Sequence, residues 1–204
     1  MCHRFWPPGR LAFALLAAVG IAALAGPADA APGASRKKFH FELTAVTAKS
    51  EVKPDVAKAA TPRVQAQVKK VFETHPQLVA KLEGAPDPRA NPDGYRRYLA
   101  QKAITGAYLV TVEITDASEE IEPFDDKQNA QRLVIHIGLH MLGENIPGRT
   151  MGFTGDGKAT IKQEVGMKIR DRDREYTWDQ AAELAVQDAM KTVFKQLTSS
   201  SKKP

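Results

Sequence analysis

His136 and His140 are the residues whose types and spacing first suggest chemistry. They lie four residues apart in an apolar stretch, residues 133–142. Imidazole nitrogen atoms bind metals and transfer protons in many proteins. If the stretch is a strand, the two side chains are roughly 13 Å apart, too far for one zinc ion to bridge. The spacing therefore predicts two separate histidines on one outer strand face, which we take as candidate partner-binding residues.

A run of alternating charges supplies the other candidate partner-binding residues. Arg170, Arg172 and Arg174 are each followed by an acidic residue. Such alternation is typical of a solvated connector that neutralises its own charge, and it can also dock a partner. We predict that substituting all three arginines leaves the fold intact and weakens partner binding.

Two further motifs do not meet the requirements of the chemistry that they resemble. Residues 152–159 nearly match the phosphate-binding pattern G-x-x-x-x-G-K-[ST], but Ala159 replaces the magnesium-binding hydroxyl and the following residues read as a strand. The acidic residues 119–126 lack the glycine-pivoted spacing of a calcium loop. No serine lies in a nucleophile-elbow pattern. The sequence therefore predicts no catalytic, metal-binding or cofactor-binding residue and no cofactor.

Two-residue alternation of apolar side chains predicts the strands that would position these residues. The pattern covers residues 39–46, 107–115 and 133–142. On the first strand, the shared apolar face is formed by Phe39, Phe41, Leu43 and Ala45. Residues 149–165 form either one long bent strand or a hairpin turning at Gly155-Asp156-Gly157. We favour the hairpin, because Asp-Gly is a strong turn signal, although glycine also marks bulges within strands.

The first predicted helix begins at Thr61-Pro62, where a capping hydroxyl precedes a proline at the first helical position. Residues 49–60 are accordingly expected to be a loop. His75-Pro76 ends the helix, because the residue before proline disfavours helical geometry. Residues 78–82 read as a short helical turn that Gly84 ends.

The second half of the chain adds two helices. The proline-rich residues 85–94 are predicted to be a loop, after which Asp93 caps a helix that Gly106 ends. Residues 177–180 form a capping box that opens the last helix. Its buried stripe is predicted to be Trp178, Ala182, Ala185, Ala189, Val193 and Leu197. Because the second half is a run of strands, antiparallel pairing is favoured. We therefore predict an α+β fold, an antiparallel sheet of four to five strands with helices mainly on one face and a long C-terminal helix.

The first thirty residues predict where the protein works. Arg4 and Arg10 precede the apolar run 11–25, and Ala28-Asp29-Ala30 supplies the small-x-small pattern that signal peptidase reads. The run is shorter than the roughly 20 residues of a spanning helix. We therefore predict a cleavable signal peptide, no stable membrane anchor after processing, and a periplasmic or extracellular location.

The remaining chain is predicted to hold one domain. The expected organisation is a signal peptide over residues 1–30, a flexible lead-in over 31–38, a single α+β domain over 39–198 and a polar tail over 199–204. Cys2 is the only cysteine and would leave with the signal, which excludes disulfides and thiolate sites. The chain has 29 basic and 24 acidic residues without a basic stripe carrying aromatic platforms, so no nucleic-acid partner is expected.

The order of predicted elements resembles a small exported α/β domain of cell-envelope proteins. This type is found in the penicillin-binding-protein activators, the periplasmic part of the curli secretion channel and the N-terminal domain of TolB. The resemblance rests on the opening strand 39–46, the helix-to-strand segment 95–115, the strands around 133–142 and 150–165, and the closing helix 178–197. It implies a domain that binds other envelope proteins and does not catalyse a reaction.

These observations favour an exported, non-enzymatic binding or assembly module of the bacterial cell envelope, with an envelope protein as partner. One alternative is a secreted hydrolase or metal-dependent enzyme whose site is assembled from scattered residues such as His136, His140 and Glu113. Another is a carrier of a small ligand, which requires a sizeable apolar pocket between sheet and helices.

Overall fold

The structure is a computed structural model that describes residues 37–124 and 129–199. The predicted signal peptide, most of the lead-in, residues 125–126 of the acidic stretch and residues 200–204 of the tail lie outside the described residues. The helices and strands follow one another as β1 (Lys38–Ala48), α1 (Pro54–Thr74), α2 (Pro92–Gln101), β2 (Ile104–Pro123), β3 (Ala130–Asn145), β4 (Met151–Gly166) and α3 (Asp171–Ser199). The chain is α+β, and α3 is the predicted long C-terminal helix.

The four strands in the described residues form a sheet in the order β1-β2-β3-β4. Strands β2, β3 and β4 pair antiparallel, whereas β1 pairs parallel with β2. The sheet is therefore mixed, and the expectation of wholly antiparallel pairing is wrong for β1. The physical reason is the connection, because α1 and α2 lie between β1 and β2 and let the chain cross over and enter β2 in the same direction.

The main core lies between one face of the sheet and the helices α1 and α3. The central strands contribute a row of buried aliphatic side chains, among them Val110, Val112, Ile114, Ile135, Ile137, Leu139 and Met141. The stripe predicted for the last helix is confirmed, since Trp178, Ala182, Ala185, Ala189, Val193 and Leu197 are all buried. Burying such side chains stabilises a fold by roughly 1.5–3 kcal/mol for each large aliphatic residue.

Strand β4 is continuous, so the favoured hairpin at Gly155-Asp156-Gly157 is wrong. The two glycines face α3 at very short range. A Cβ on Gly157 would lie 2.1 Å from the Ala185 carbonyl oxygen, and one on Gly155 would lie 2.5 Å from Val193 Cγ2. Glycine is therefore needed here for the close approach of a helix and not for a turn.

Helix α1 begins earlier than predicted. It starts at Pro54, which occupies the first turn, and Pro62 lies inside the helix. Residues 49–60 are therefore mostly helical and not a loop, because Pro54 is itself suited to a helix start and the alanines that follow favour helix. The helix ends where His75 adopts an extended conformation before Pro76, as predicted.

Helix α3 also begins earlier, at Asp171, so residues 171–175 are its first turns and not a connector. Thr177 is not a cap but a buried residue inside the helix, where its hydroxyl contacts the Asp173 carbonyl and the Gln163 side chain. Inside a helix, a threonine hydroxyl can donate a hydrogen bond to the backbone carbonyl four residues earlier.

The segment before α2 and the start of α2 differ from the prediction. Residues 78–82 form no helical turn, because Leu78 instead bridges Phe39 at the edge of β1. The cap of α2 is Asn91, whose side chain accepts from the Gly94 N–H at 2.8 Å. Helix α2 ends at Gln101, and Gly106, the predicted stop, lies within β2.

A bulge at Thr44 changes which side chains of β1 reach the core. Leu43 pairs with Val110 and Ala45 pairs with Thr111, so Thr44 is the extra residue. Beyond the bulge, Val46 and Ala48 pair with Val112 and Ile114 and pack against the core. The prediction that Ala45 shares the face of the phenylalanines fails because the pattern gave no sign of the bulge.

Helix α2 packs on the sheet face opposite α1 and α3. Ala107 and Tyr108 are neighbours in β2 and point to opposite faces. Tyr108 belongs to the main core, whereas Ala107 joins Tyr95 and Leu99 of α2 in a second, smaller cluster. We call this second face the outer face. No helix in the described part of the chain has the length and apolarity to cross a bilayer.

Candidate functional site

Two of the three predicted arginines are engaged within the protein. Arg170 contacts Asp173 through Nε–Oδ2 at 2.7 Å and Nη2–Oδ1 at 3.1 Å. Arg174 Nε lies 2.8 Å from Glu119 Oε1. Arg172 is exposed, and no residue within 37–124 or 129–199 pairs with it. A triple substitution would therefore remove contacts within the fold as well, and Arg172 is the arginine of the three that such contacts among the described residues do not engage.

The predicted histidines lie on the outer face, each tied to its own neighbours. His136 Nδ1 is 2.8 Å from Thr160 Oγ1, and its Nε2 is 3.3 Å from Asp116 Oδ2. His140 Nδ1 is 2.7 Å from Asp156 Oδ1. These are cross-strand contacts, which typically contribute a few tenths of a kcal/mol to about 1 kcal/mol each.

The structure does not bring together the three residues named for the enzyme alternative, His136, His140 and Glu113. Glu113 lies directly opposite His140 in the ladder, but His136 lies four residues further along β3. Among the described residues, no group of three or more His, Cys, Asp or Glu side chains is placed to hold a metal ion.

A cleft lies at one end of the outer face. It has a volume of about 830 Å³ and lies between the sheet, α2 and the proline-rich segment. Five parts of the chain line it. Its lining residues are His40 and Glu42 of β1, Leu109 of β2, Tyr95 of α2, Ala85, Pro86, Asp87, Pro88 and Arg89 of the proline-rich segment with Leu82 just before it, and Ile146, Pro147 and Arg149 after β3.

The alternation of β1 explains why polar groups form the floor of the cleft. Phe39 and Phe41 are buried in the main core. Because successive strand residues point to opposite faces, His40 and Glu42 must point to the outer face. The burial of two phenylalanines on one side therefore aims an imidazole and a carboxylate into the cleft on the other.

His40 is held rigidly at this floor. The residue is only 8% exposed, and its Nδ1 lies 2.7 Å from the Val79 carbonyl oxygen. A carbonyl only accepts, so Nδ1 carries the proton and donates. Nε2 has no hydrogen-bond partner in the described part of the chain, and it is the ring nitrogen that His40 offers to the cleft.

Tyr95 is the second buried polar residue at the floor, at 4% exposure. Burial, aided by the nearby Glu42 carboxylate and by Tyr98, raises the pKa of Tyr95 to about 12. Its hydroxyl therefore stays protonated at neutral pH. Nothing among the described residues hydrogen-bonds that hydroxyl, which leaves it able to donate and to accept.

The charges around the cleft are unevenly compensated. Arg149 Nε lies 2.9 Å from Glu144 Oε2. Hydrogen bonds from the backbone N–H groups of Arg89 and Ala90 lower the pKa of Asp87, and the Arg89 charge adds to this effect. Glu42, by contrast, is exposed and forms no ion pair within the described residues.

Sequence reasoning missed this site. His40 has no second histidine near it in the sequence, and the spacing of Tyr95 with Tyr98 and Leu99 is that of an apolar helix stripe, which predicts a core residue. One usable signal existed, namely that His40 and Glu42 interrupt the phenylalanines of a strand with polar groups. The far wall could not be found in this way, because it is built from residues 82–89 and 146–149, which are distant in sequence.

No protein-family model matches the chain, and no curated protein matches it. Similar solved structures include a Xanthomonas campestris protein of the DUF330 family, with 10% identity, a TM-score of 0.42, and coverage of 83% of this chain and 94% of the other. A minor lipoprotein from Acinetobacter baumannii has 10% identity, a TM-score of 0.38, and coverage of 79% and 93%. The rare lipoprotein B of Shewanella oneidensis has 12% identity, a TM-score of 0.35, and coverage of 78% and 97%. With all three TM-scores below 0.5, these similarities assign neither a family nor a function.

Proposed function

We propose that this chain is an exported, non-enzymatic binding module of the cell envelope and that its cleft holds part of a protein partner. The observation that carries the proposal is the cleft of about 830 Å³ with two buried polar side chains at its floor. Export is proposed from the signal-peptide pattern of residues 1–30.

The size and lining of the cleft support binding. Ligand sites in proteins typically measure about 300–1,000 Å³ and combine apolar walls with a few polar groups that orient the ligand. Pro86, Pro88 and Pro147 contribute walls whose backbone has little freedom. A wall that is already rigid loses little conformational entropy when the ligand enters, which favours binding.

A small-ligand carrier is the second candidate, since the same cleft is large enough to enclose a small molecule. It differs from the first candidate in one respect, because a carrier needs no protein partner at the cleft. An experiment that scores captured proteins therefore separates the two candidates.

The test compares protein capture by the processed protein and by variants with a filled cleft. Ala85→Phe places a ring in the cleft, and Ala66→Phe, at an exposed position of α1, is the matched control. Each is immobilised and exposed to envelope extract, and retained proteins are identified by mass spectrometry. We expect proteins that the wild type and Ala66→Phe retain and Ala85→Phe loses.

An identical set of retained proteins on all three samples would refute the proposed protein partner at the cleft. Thermal unfolding of each variant checks that it is folded. If Ala85→Phe is unfolded, Arg89→Asp at the exposed rim takes its place, because it reverses a charge without adding volume to the second core cluster.

A further inference from the structure

We propose that the chemical group bound at the floor of the cleft is a primary ammonium, supplied by a peptide N-terminus or by a lysine side chain. The inference rests on the proposed function, because it names the group that the partner inserts. It is carried by three side chains that line the same cleft, His40, Glu42 and Tyr95.

The three side chains are close because of the fold. His40 and Glu42 are two residues apart on the same face of β1, a spacing of roughly 7 Å between their backbone positions. Tyr95 of α2 lines the same cleft, and the Glu42 carboxylate adds to the rise in the pKa of Tyr95. A ligand group at the floor therefore meets an imidazole nitrogen, a phenol oxygen and a carboxylate.

The balance of charge at this end of the cleft is negative. Arg149 is paired with Glu144, and Arg89 lies beside Asp87. These four charges cancel in pairs, whereas Glu42 has no cationic partner among the described residues. Glu42 thus contributes an uncompensated negative charge to the cleft, which a monovalent cation would balance.

The hydrogen-bonding capacity of the floor selects among cations. A primary ammonium carries three N–H donors, and the floor offers acceptors on His40 Nε2, the Tyr95 oxygen and the Glu42 carboxylate. A quaternary ammonium has no N–H, so it would leave the buried imidazole and phenol unpaired, which is unfavourable. A guanidinium presents its donors in a planar fork suited to paired oxygens and not to three separate acceptors.

The test uses isothermal titration of the processed protein with four short peptides. One has a free N-terminus and no lysine, and the second is the same peptide N-acetylated. The third is N-acetylated and contains one lysine, and the fourth carries trimethyllysine in its place. We expect binding by the first or third peptide and none by the second and fourth. The first and third peptides distinguish an N-terminal from a side-chain source.

Matched variants locate the binding. Glu42→Gln keeps the size of the side chain and removes the charge, and we expect it to weaken binding at least about tenfold, as for the loss of one charge-assisted hydrogen bond. Glu73→Gln, at an exposed position near the end of α1, should leave binding unchanged. Equal affinity of the acetylated and free peptides, or no effect of Glu42→Gln, would overturn the ammonium inference.

The two proposals fail in different ways. If Ala85→Phe abolishes protein capture but no amine peptide binds, the ammonium inference is wrong and the binding cleft stands. If amine peptides bind through Glu42 while capture does not depend on the cleft, the inference stands and the protein partner at the cleft is wrong. Absence of both effects refutes both.

Discussion

On the core face of the sheet, the backbone of α3 lies so close to Gly155 and Gly157 that a methyl group has no room. On the outer face, α2 and the proline-rich segment cover only one end and enclose a cleft of about 830 Å³. The first face is packed as protein interiors are, with few voids. The second is covered loosely enough to admit a ligand. The difference places the tight packing and the cleft on opposite faces of one sheet.

The histidines of the outer face show that a candidate site depends on which segment of the chain lies over the residue, and not on the residue type alone. His136 and His140 are partly exposed and contact residues of the neighbouring strands. His40 is 8% exposed, is held through Nδ1, and keeps Nε2 for the cleft. The residue type is the same, but the segment above it decides whether a ring nitrogen is used within the sheet or offered to a ligand.

The largest expected effect tests the tightness of the core face. Gly157→Ala should lower the free energy of unfolding by about 2–3 kcal/mol, because the new Cβ would lie 2.1 Å from the Ala185 carbonyl and the helix must move. Gly166→Ala is the control, since a Cβ there meets nothing within 4 Å, and it should change stability by less than about 0.5 kcal/mol. Urea unfolding measures both, and equal effects would contradict the assignment of tight packing to this face.

A smaller loss of stability is expected when Glu119, which faces the core side of the sheet, is replaced, and almost none when its neighbour Glu120 is replaced. Glu119 accepts from Trp178 Nε1 at 2.9 Å and contacts Arg174 at 2.8 Å. Glu119→Ala should lower the free energy of unfolding by about 1–2 kcal/mol, because the buried indole N–H loses its acceptor. Glu120→Ala, at an exposed position next along β2, should be nearly neutral. The expected difference in chemical denaturation would be absent if the Trp178 contact contributed nothing.

The smallest effect concerns the arginine surface. Arg172→Ala should leave the unfolding midpoint unchanged and reduce captured partner about two- to threefold, the range expected of one exposed charge at an interface rim. Lys69→Ala, at an exposed position of α1, serves as the control. Unchanged capture by Arg172→Ala would remove the reason to assign Arg172 to the partner surface. Arg172 would then differ from Arg174 in having neither a partner outside the protein nor a contact within its described residues, since Arg174 contacts Glu119.

Part of the candidate site can be predicted from the sequence. The alternation in β1 places His40 and Glu42 on the face opposite Phe39 and Phe41, which is a local property of any strand. Tyr95 could not be assigned to a cleft, because the same helix stripe packs equally well against a closed core. Whether the helix stripe faces a cleft or a closed core depends on the position of residues 82–89 in the fold, and no local sequence pattern specifies that position.

Local periodicity determined the α+β class, the approximate positions of β1, β2 and β3 and the buried stripe of α3, because side-chain direction follows directly from backbone geometry. The tertiary structure alone decided the parallel entry of β1, the use of Gly155 and Gly157 as contacts to α3, and the enclosure of the cleft. These features depend on contacts between residues far apart in the chain. A spacing pattern records which residues share a face, but not which distant segment will cover that face.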